Sequence, residues 1–377
     1  MKYLIKSGLC NKSWRQKVLV PQLAFASIAL WLVCAQPLRS QVEGSAISGL
    51  INPAAVAFNP TTGKVYTVDT DVGAIYVTDD RANSTIRVKV GAGPVAIAVD
   101  SRNGNAYVAN AGDGTVSVIN GKTDAVTATL PVGSHPYSIA ADSTAGKIYV
   151  SRTYSDQLTI IDASTNSFTG VKAGSPDLIA VNAKTSTVYL LGYEGGDLTV
   201  FEGTDRSFRK TSVGMHAWGM ALNEETGALY IARPGDAVVA VLNAGMTKPT
   251  MIPAGRIPCS VAVNSRTNTI YAVNYADNSL TVIDGAKGLT VAAIPVGNRP
   301  QAVLVDPQHD LVFVANTLGN SVTVIDGSNN RVLSTMNAGK APFALAINPV
   351  SGKLHVANED KTSFTILDVS EFQAKSH

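Results

Sequence analysis

Apolar and polar positions along this chain fall into short runs, and the runs come in fours. From Pro94 to Gly133 the sequence reads PVAIAVD, SRNGN, AYVAN, AGDG, TVSVIN, GKTD and AVTATLPVG. The apolar runs have strand length and are rich in Val, Ile and Thr, while Gly, Asn and Asp bound them as turn formers. The pattern predicts strands over 94–100, 106–110, 115–120 and 125–133. No stretch of the repeating part shows a 3.6-residue period, so the chain reads as all-β.

The same sentence recurs. Pro53, Pro94, Pro136, Pro176, Ala217, Pro258, Pro300 and Pro342 open equivalent units, spaced 40 to 42 residues apart. Four short strands per repeat of this length predict a β-propeller of four-stranded blades. Eight blades are expected, with seven as the alternative if one repeat is degenerate. An Asx residue closes every first strand: Asn59, Asp100, Asp142, Asn182, Asn223, Asn264, Asp306 and Asn348. Its side chain can bond the backbone two residues on. Gly63, Gly104, Gly146, Gly227 and Gly352 then take the left-handed turn.

Closure is legible as well. The last unit has room for three strands, over 344–348, 353–358 and 363–368, and only nine residues follow. Residues 43–51 precede the first unit where a fourth strand belongs. They are expected to pair into the last blade, which removes the exposed sheet edges of an open ring.

The runs Tyr107–Asn110, 271–274, 313–316 and 355–358 read YVAN, YAVN, FVAN and HVAN. They resemble the YVTN-type β-propeller repeat family across 43–368, similar to archaeal surface-layer and bacterial periplasmic propellers. The resemblance implies an exported propeller that binds a ligand or partner. It implies no single activity, because propellers host many functions.

The first 35 residues are of another kind. Lys2, Lys6, Lys12, Arg15 and Lys17 carry no accompanying acid, and 18–37 is uncharged. A basic head before an apolar run reads as a signal peptide over 1–35, with cleavage after Ala35. An uncleaved anchor is the alternative, and a lipoprotein at Cys34 is disfavoured by its bulky neighbours Leu32 and Val33. A linker over 36–42, one propeller domain over 43–368 and a tail over 369–377 complete the expected organisation. Localisation is then periplasmic or extracellular.

Removing the leader leaves 25 basic and 28 acidic residues, net −3. No basic run survives, so nucleic-acid binding is not indicated. No membrane span is expected in the mature chain, which should be monomeric. Cys259 is the sole cysteine beyond the leader, so no internal disulfide can form. No haem, zinc, P-loop or GxSxG signature occurs, so no cofactor or metal is expected. His355 stands where other units have Tyr and reads as a core or interface residue, and His377 belongs to the tail.

Candidate chemistry lies where the repeat is misspelt. The loop before each first strand and the hairpin between strands two and three share one face, here the upper face, around the channel mouth. In units three to five it carries His135, Tyr137, Arg152, Tyr154, Asp177, Tyr193, Glu194, His216, Trp218 and Arg233, with Arg299 in unit seven. Asn at the last position of YVAN reads as a cap on the following hairpin, and Arg152 and Arg233 give that bond up. Aromatic and polar groups converging on one concavity form the expected ligand-binding site, for an unidentified small molecule or protein. Arg152 and Arg233 have Asp156, Glu194 and Asp236 as alternative ion-pair partners. The reading favours a binding or scaffold protein over an enzyme and leaves catalysis open. A lactonase-type hydrolase or lyase using His135, His216, Glu194 and Asp177, or a surface-layer or adhesive protein, are the alternatives.

Overall fold

The computed structural model describes residues 45–46, 50–174, 176–193, 195–202, 207–359 and 364–373. The expected leader and linker, Ser175, Glu194 and His377 lie outside the described residues. Eight antiparallel four-stranded sheets follow one another in a ring. Seven are built from consecutive strands, as in Pro94–Val99, Ala106–Asn110, Thr115–Ile119 and Val126–Pro131. The eighth is completed from the other end of the chain: Ser45–Ala46 pairs antiparallel with Phe364–Asp368, Ser45 opposite Ile366. A one-turn helix, Ser370–Gln373, follows and buries Phe372 among the side chains of blades seven and eight.

Burial explains the spelling. Each sheet is flanked by neighbouring blades on both faces, so its middle strands must be apolar on both. Leu311–Asn316 is buried at every position, and Tyr66, Tyr107, Tyr271 and Phe313 are fully buried at the centre of the second strands. The outermost strands lie at the ring's periphery and are mostly exposed, as in Ser84–Lys89. The core is thus a series of wedges between blades. One wedge joins Ala55 and Tyr66 of blade one to Ile97 and Val108 of blade two.

All eight Asx residues make the turn bond expected of them, from Thr61 N to Asn59 Oδ1 at 3.0 Å through Val350 N to Asn348 Oδ1 at 3.2 Å. The five asparagines among them also reach the next blade. Asn59 Nδ2 donates to Gly104 O at 2.7 Å, and Asn264 Nδ2 to Asp310 Oδ1 at 2.6 Å. One residue type therefore shapes a turn and joins two blades.

At the seam between blades eight and one, His355 is fully buried, as expected of a core or interface residue. Its Nε2 lies 3.1 Å from Asp80 Oδ1, and Asp80 also accepts bonds from Asn348 Nδ2 (2.7 Å) and Ser351 Oγ (2.9 Å).

Candidate functional site

Six of the eight inner strands begin at the anchoring proline and carry a bulge directly after it. A clamp accompanies the bulge. The residue before the proline offers its carbonyl to the backbone N–H that follows the YVAN motif, as from Ala111 to Gly93 (2.8 Å), Thr153 to His135 (3.0 Å) and Tyr275 to Ile257 (3.0 Å). Five of the six clamped residues are held left-handed, including His135 (φ 51°), Arg299 (φ 52°) and the β-branched Ile257 (φ 56°), with Asn52 the exception. For a β-branched side chain that conformation is strained.

Blades four and five break this rule, and sequence says why. Tyr193 follows the motif in blade four, but its N–H is taken by Asp177 Oδ2 at 2.7 Å. In blade five the corresponding residue is Pro234, which has no N–H to give. The inner strands accordingly start late, at Leu178 and Gly219, without a bulge. Asp177 and Trp218 stand just above them, their own N–H groups bonded to Leu191 O (2.9 Å) and Ala232 O (3.0 Å).

The structure draws five of the candidate residues together here. Trp218 is buried, and its Nε1 donates to Tyr193 Oη at 2.6 Å. The two rings stack 6.4 Å apart at 22°, and His216 meets Tyr193 edge-on at 6.1 Å. Burial pushes the Tyr137 hydroxyl up to about 12, reinforced by the charge of Asp177 and by Tyr193. These groups therefore sit within electrostatic reach of one another. His135, His216 and Tyr154 are exposed, Tyr154 almost completely (96%), on a hairpin tip with φ 61°. Beside them Met215 is 62% exposed.

The arginines are placed differently. Arg233 forms an ion pair with Asp236 within its own hairpin, and its Nη1 lies 3.6 Å from Met251 Sδ. Asp156 is paired with Lys172 at 3.2 Å, leaving Arg152 without a carboxylate partner among the described residues. Both guanidinium groups lie against a connector glycine, Gly133 (φ 100°) and Gly214 (φ 88°), where a Cβ would collide with them. In the plain blades the motif Asn occupies that place. There it is buried and donates to hydroxyls of the third strand, as from Asn274 to Ser279 Oγ (3.0 Å) and Thr281 Oγ1 (2.8 Å). The cap expected on the hairpin is thus a bond across to the next strand. Val238 and Ala240 offer no such hydroxyls to Arg233.

Two neighbours of the cluster were not among the expected site residues. Cys259 and Tyr275 pack with Trp218, Tyr193 and Ile257. The Arg299 guanidinium lies 4.8 Å over the Tyr275 ring, joining that candidate to the group. The available signal was Ile257, a β-branched residue at a position that is left-handed in most blades. The resulting band runs from Tyr137 in blade three to Arg299 in blade seven.

No family model matches the sequence, and no curated protein matches it either. Among solved structures the chain is similar to hydrazine synthase of Kuenenia stuttgartiensis, at 15% identity and TM-score 0.57, over 78% of this chain and 98% of that one. It is also similar to the dihydro-heme d1 dehydrogenase NirN in complex with DHE, at 12% identity and TM-score 0.63, over 86% and 69%. A third is U3-55K, at 10% identity and TM-score 0.58, over 73% and 91%. At such identities the likeness is one of fold, and by its eight four-stranded sheets the chain is an eight-bladed β-propeller.

Proposed function

We propose that this is an exported propeller of the YVTN-repeat kind that binds a ligand or partner on the upper face of blades three to seven. The observation that carries the reading is the group Tyr137, Asp177, Tyr193, His216 and Trp218. These departures from the repeat are scattered over 82 positions of sequence, yet Asp177, Tyr193, His216 and Trp218 are tied by bonds and ring contacts at the two blades that lack the clamp, and Tyr137 of blade three lies within electrostatic reach of Asp177 and Tyr193. A fixed aromatic floor beside exposed His135, Tyr154, Met215 and His216 is the composition of a recognition surface, with anchors held and contacts free. Export is supported by the basic and apolar leader.

Trp218 is the only tryptophan beyond residue 35, so its fluorescence reports on this face alone in processed protein. A panel of extracellular metabolites and host-culture proteins is screened by Trp218 emission and thermal shift. A hit should lose its effect in the variant His135→Ala/Tyr154→Ala/His216→Ala, three exposed positions whose change leaves the fold intact. A hit that binds this variant unchanged would place recognition elsewhere. Fractionation with N-terminal sequencing tests export: the mature chain should begin at Gln36 outside the cytoplasm.

A further inference from the structure

The lower end of the channel is built asymmetrically. At that end each inner strand closes with its Asx residue, and the next residue forms the rim. In blades seven, eight and one it is Pro307, Pro349 and Pro60; in blades two to six it is Ser101, Ser143, Ala183, Glu224 and Ser265. Three adjacent prolines extend the apolar channel wall outward, since they present rings and no N–H groups. Behind them lies a cavity of about 450 Å³, within the size range of small-molecule sites. Its walls are Phe58, Ile97, Val99, Leu304, Leu345 and Ile347.

One cation faces this well. Arg266 lines the cavity from blade six, at the edge of the proline arc, and is exposed. Its Nη1 donates to Pro307 O (2.8 Å) and Gln308 O (3.0 Å), which fixes the guanidinium at the rim. Nearby acids make their hydrogen bonds elsewhere, although the Asp310 charge feels Arg266 at longer range. Asp306 accepts from Gln308 N (3.0 Å) and is 2.7 Å from His309 Nδ1, while Asp310 accepts from Asn264 Nδ2 at 2.6 Å. Among the described residues no carboxylate lies within ion-pair distance of Arg266. A guanidinium oriented by backbone carbonyls retains donors for a planar anion.

We propose that the lower channel mouth binds an apolar ligand bearing a single carboxylate, its body in the well and its head on Arg266. The site is separate from the upper face and does not depend on the reading given for it.

Straight-chain carboxylates from hexanoate to tetradecanoate, each with its matching alcohol, are titrated calorimetrically into the full mature protein below their micelle concentrations. Affinity should rise roughly fourfold per methylene and level off once the well is full. Decanoate should bind roughly ten- to a hundredfold tighter than decanol, as a hydrogen bond to a charged group would give. Arg266→Gln should bring decanoate down to the level of decanol and leave decanol unchanged. The upper-face variant should bind decanoate like the wild type. Absent decanoate binding, no dependence on chain length, equal binding of acid and alcohol, or indifference to Arg266→Gln would each overturn the proposal.

Discussion

Substituting Asp80 by alanine tests how the ring is closed. At an ordinary seam the second-strand tyrosine of one blade abuts a small residue of the next, as Tyr271 does Gly327. At the closing seam both are exchanged: His355 replaces the tyrosine and Asp80 takes the place of the glycine. Asp80→Ala removes the acceptor of Ser351 Oγ and His355 Nε2 together, and one of the two acceptors of Asn348 Nδ2. His355 is fully buried and its Nδ1 already lacks a partner among the described residues, so the whole ring would be left unpaired. Breaking a buried pair from one side costs about 3–5 kcal/mol. At about 2 °C per kcal/mol for a large domain, the melting temperature should fall by roughly 6–10 °C in calorimetry. Lys287→Ala, which breaks the exposed pair with Asp284 at 2.7 Å, is the control and should cost under about 1 kcal/mol. Adding His355→Phe to Asp80→Ala should recover part of the loss, because an apolar seam has no orphaned group to bury. If Asp80→Ala costs no more than the control, or if the two changes simply add, the latch argument is wrong.

The latch also has a pH signature. Desolvation pushes the Asp80 carboxyl up, but the bonds from His355, Asn348 and Ser351 and the His355 charge outweigh it, so the net displacement is downward. A lowered carboxylate stabilises the fold above its unfolded value, near 4, and that contribution is lost as pH falls through the lower folded value. The stability difference between wild type and Asp80→Asn should therefore shrink in that acid window in urea titrations.

Two further outcomes follow from the upper face. Tyr193→Phe removes the acceptor of Trp218 Nε1 and should cost about 1 kcal/mol, read from urea unfolding followed by Trp218 emission. The Tyr137 hydroxyl, pushed up to about 12, stabilises the fold below the unfolded tyrosine value near 10 and ceases to do so above the folded one. In a spectrophotometric titration of the folded protein, Tyr137→Phe should remove tyrosinate absorbance only well above pH 10.

The ring was readable because each blade repeats the same local constraints. Asx and Gly or Asn at fixed spacing dictate turns, and apolar runs of strand length dictate sheets buried on both faces. The orphan strand over 43–51 could be assigned to the last blade because a closed ring leaves no other edge for it. The candidate site was legible only as a set of exceptions. Sequence placed Tyr137, Asp177, Tyr193, His216 and Trp218 on one face, since equivalent positions in a repeat share a location. It also put Arg233 on that face with Asp236 as a possible ion-pair partner, but not the fold of its long side chain back over Gly214 that the pair accompanies.

Sequence by itself thus determined the all-β class, the propeller architecture with eight blades favoured over seven, the closure and the side of the ring where the departures gather, because these rest on turn chemistry and strand periodicity repeated along the chain. Tertiary structure alone decided which departures touch, that Tyr275 carries Arg299 into the band, and that His355 reaches Asp80 across 275 positions. It also showed the lower channel to be an apolar well facing Arg266. Such contacts join blades that are distant in sequence or opposite across the axis, and no local rule relates their side chains until the ring has closed.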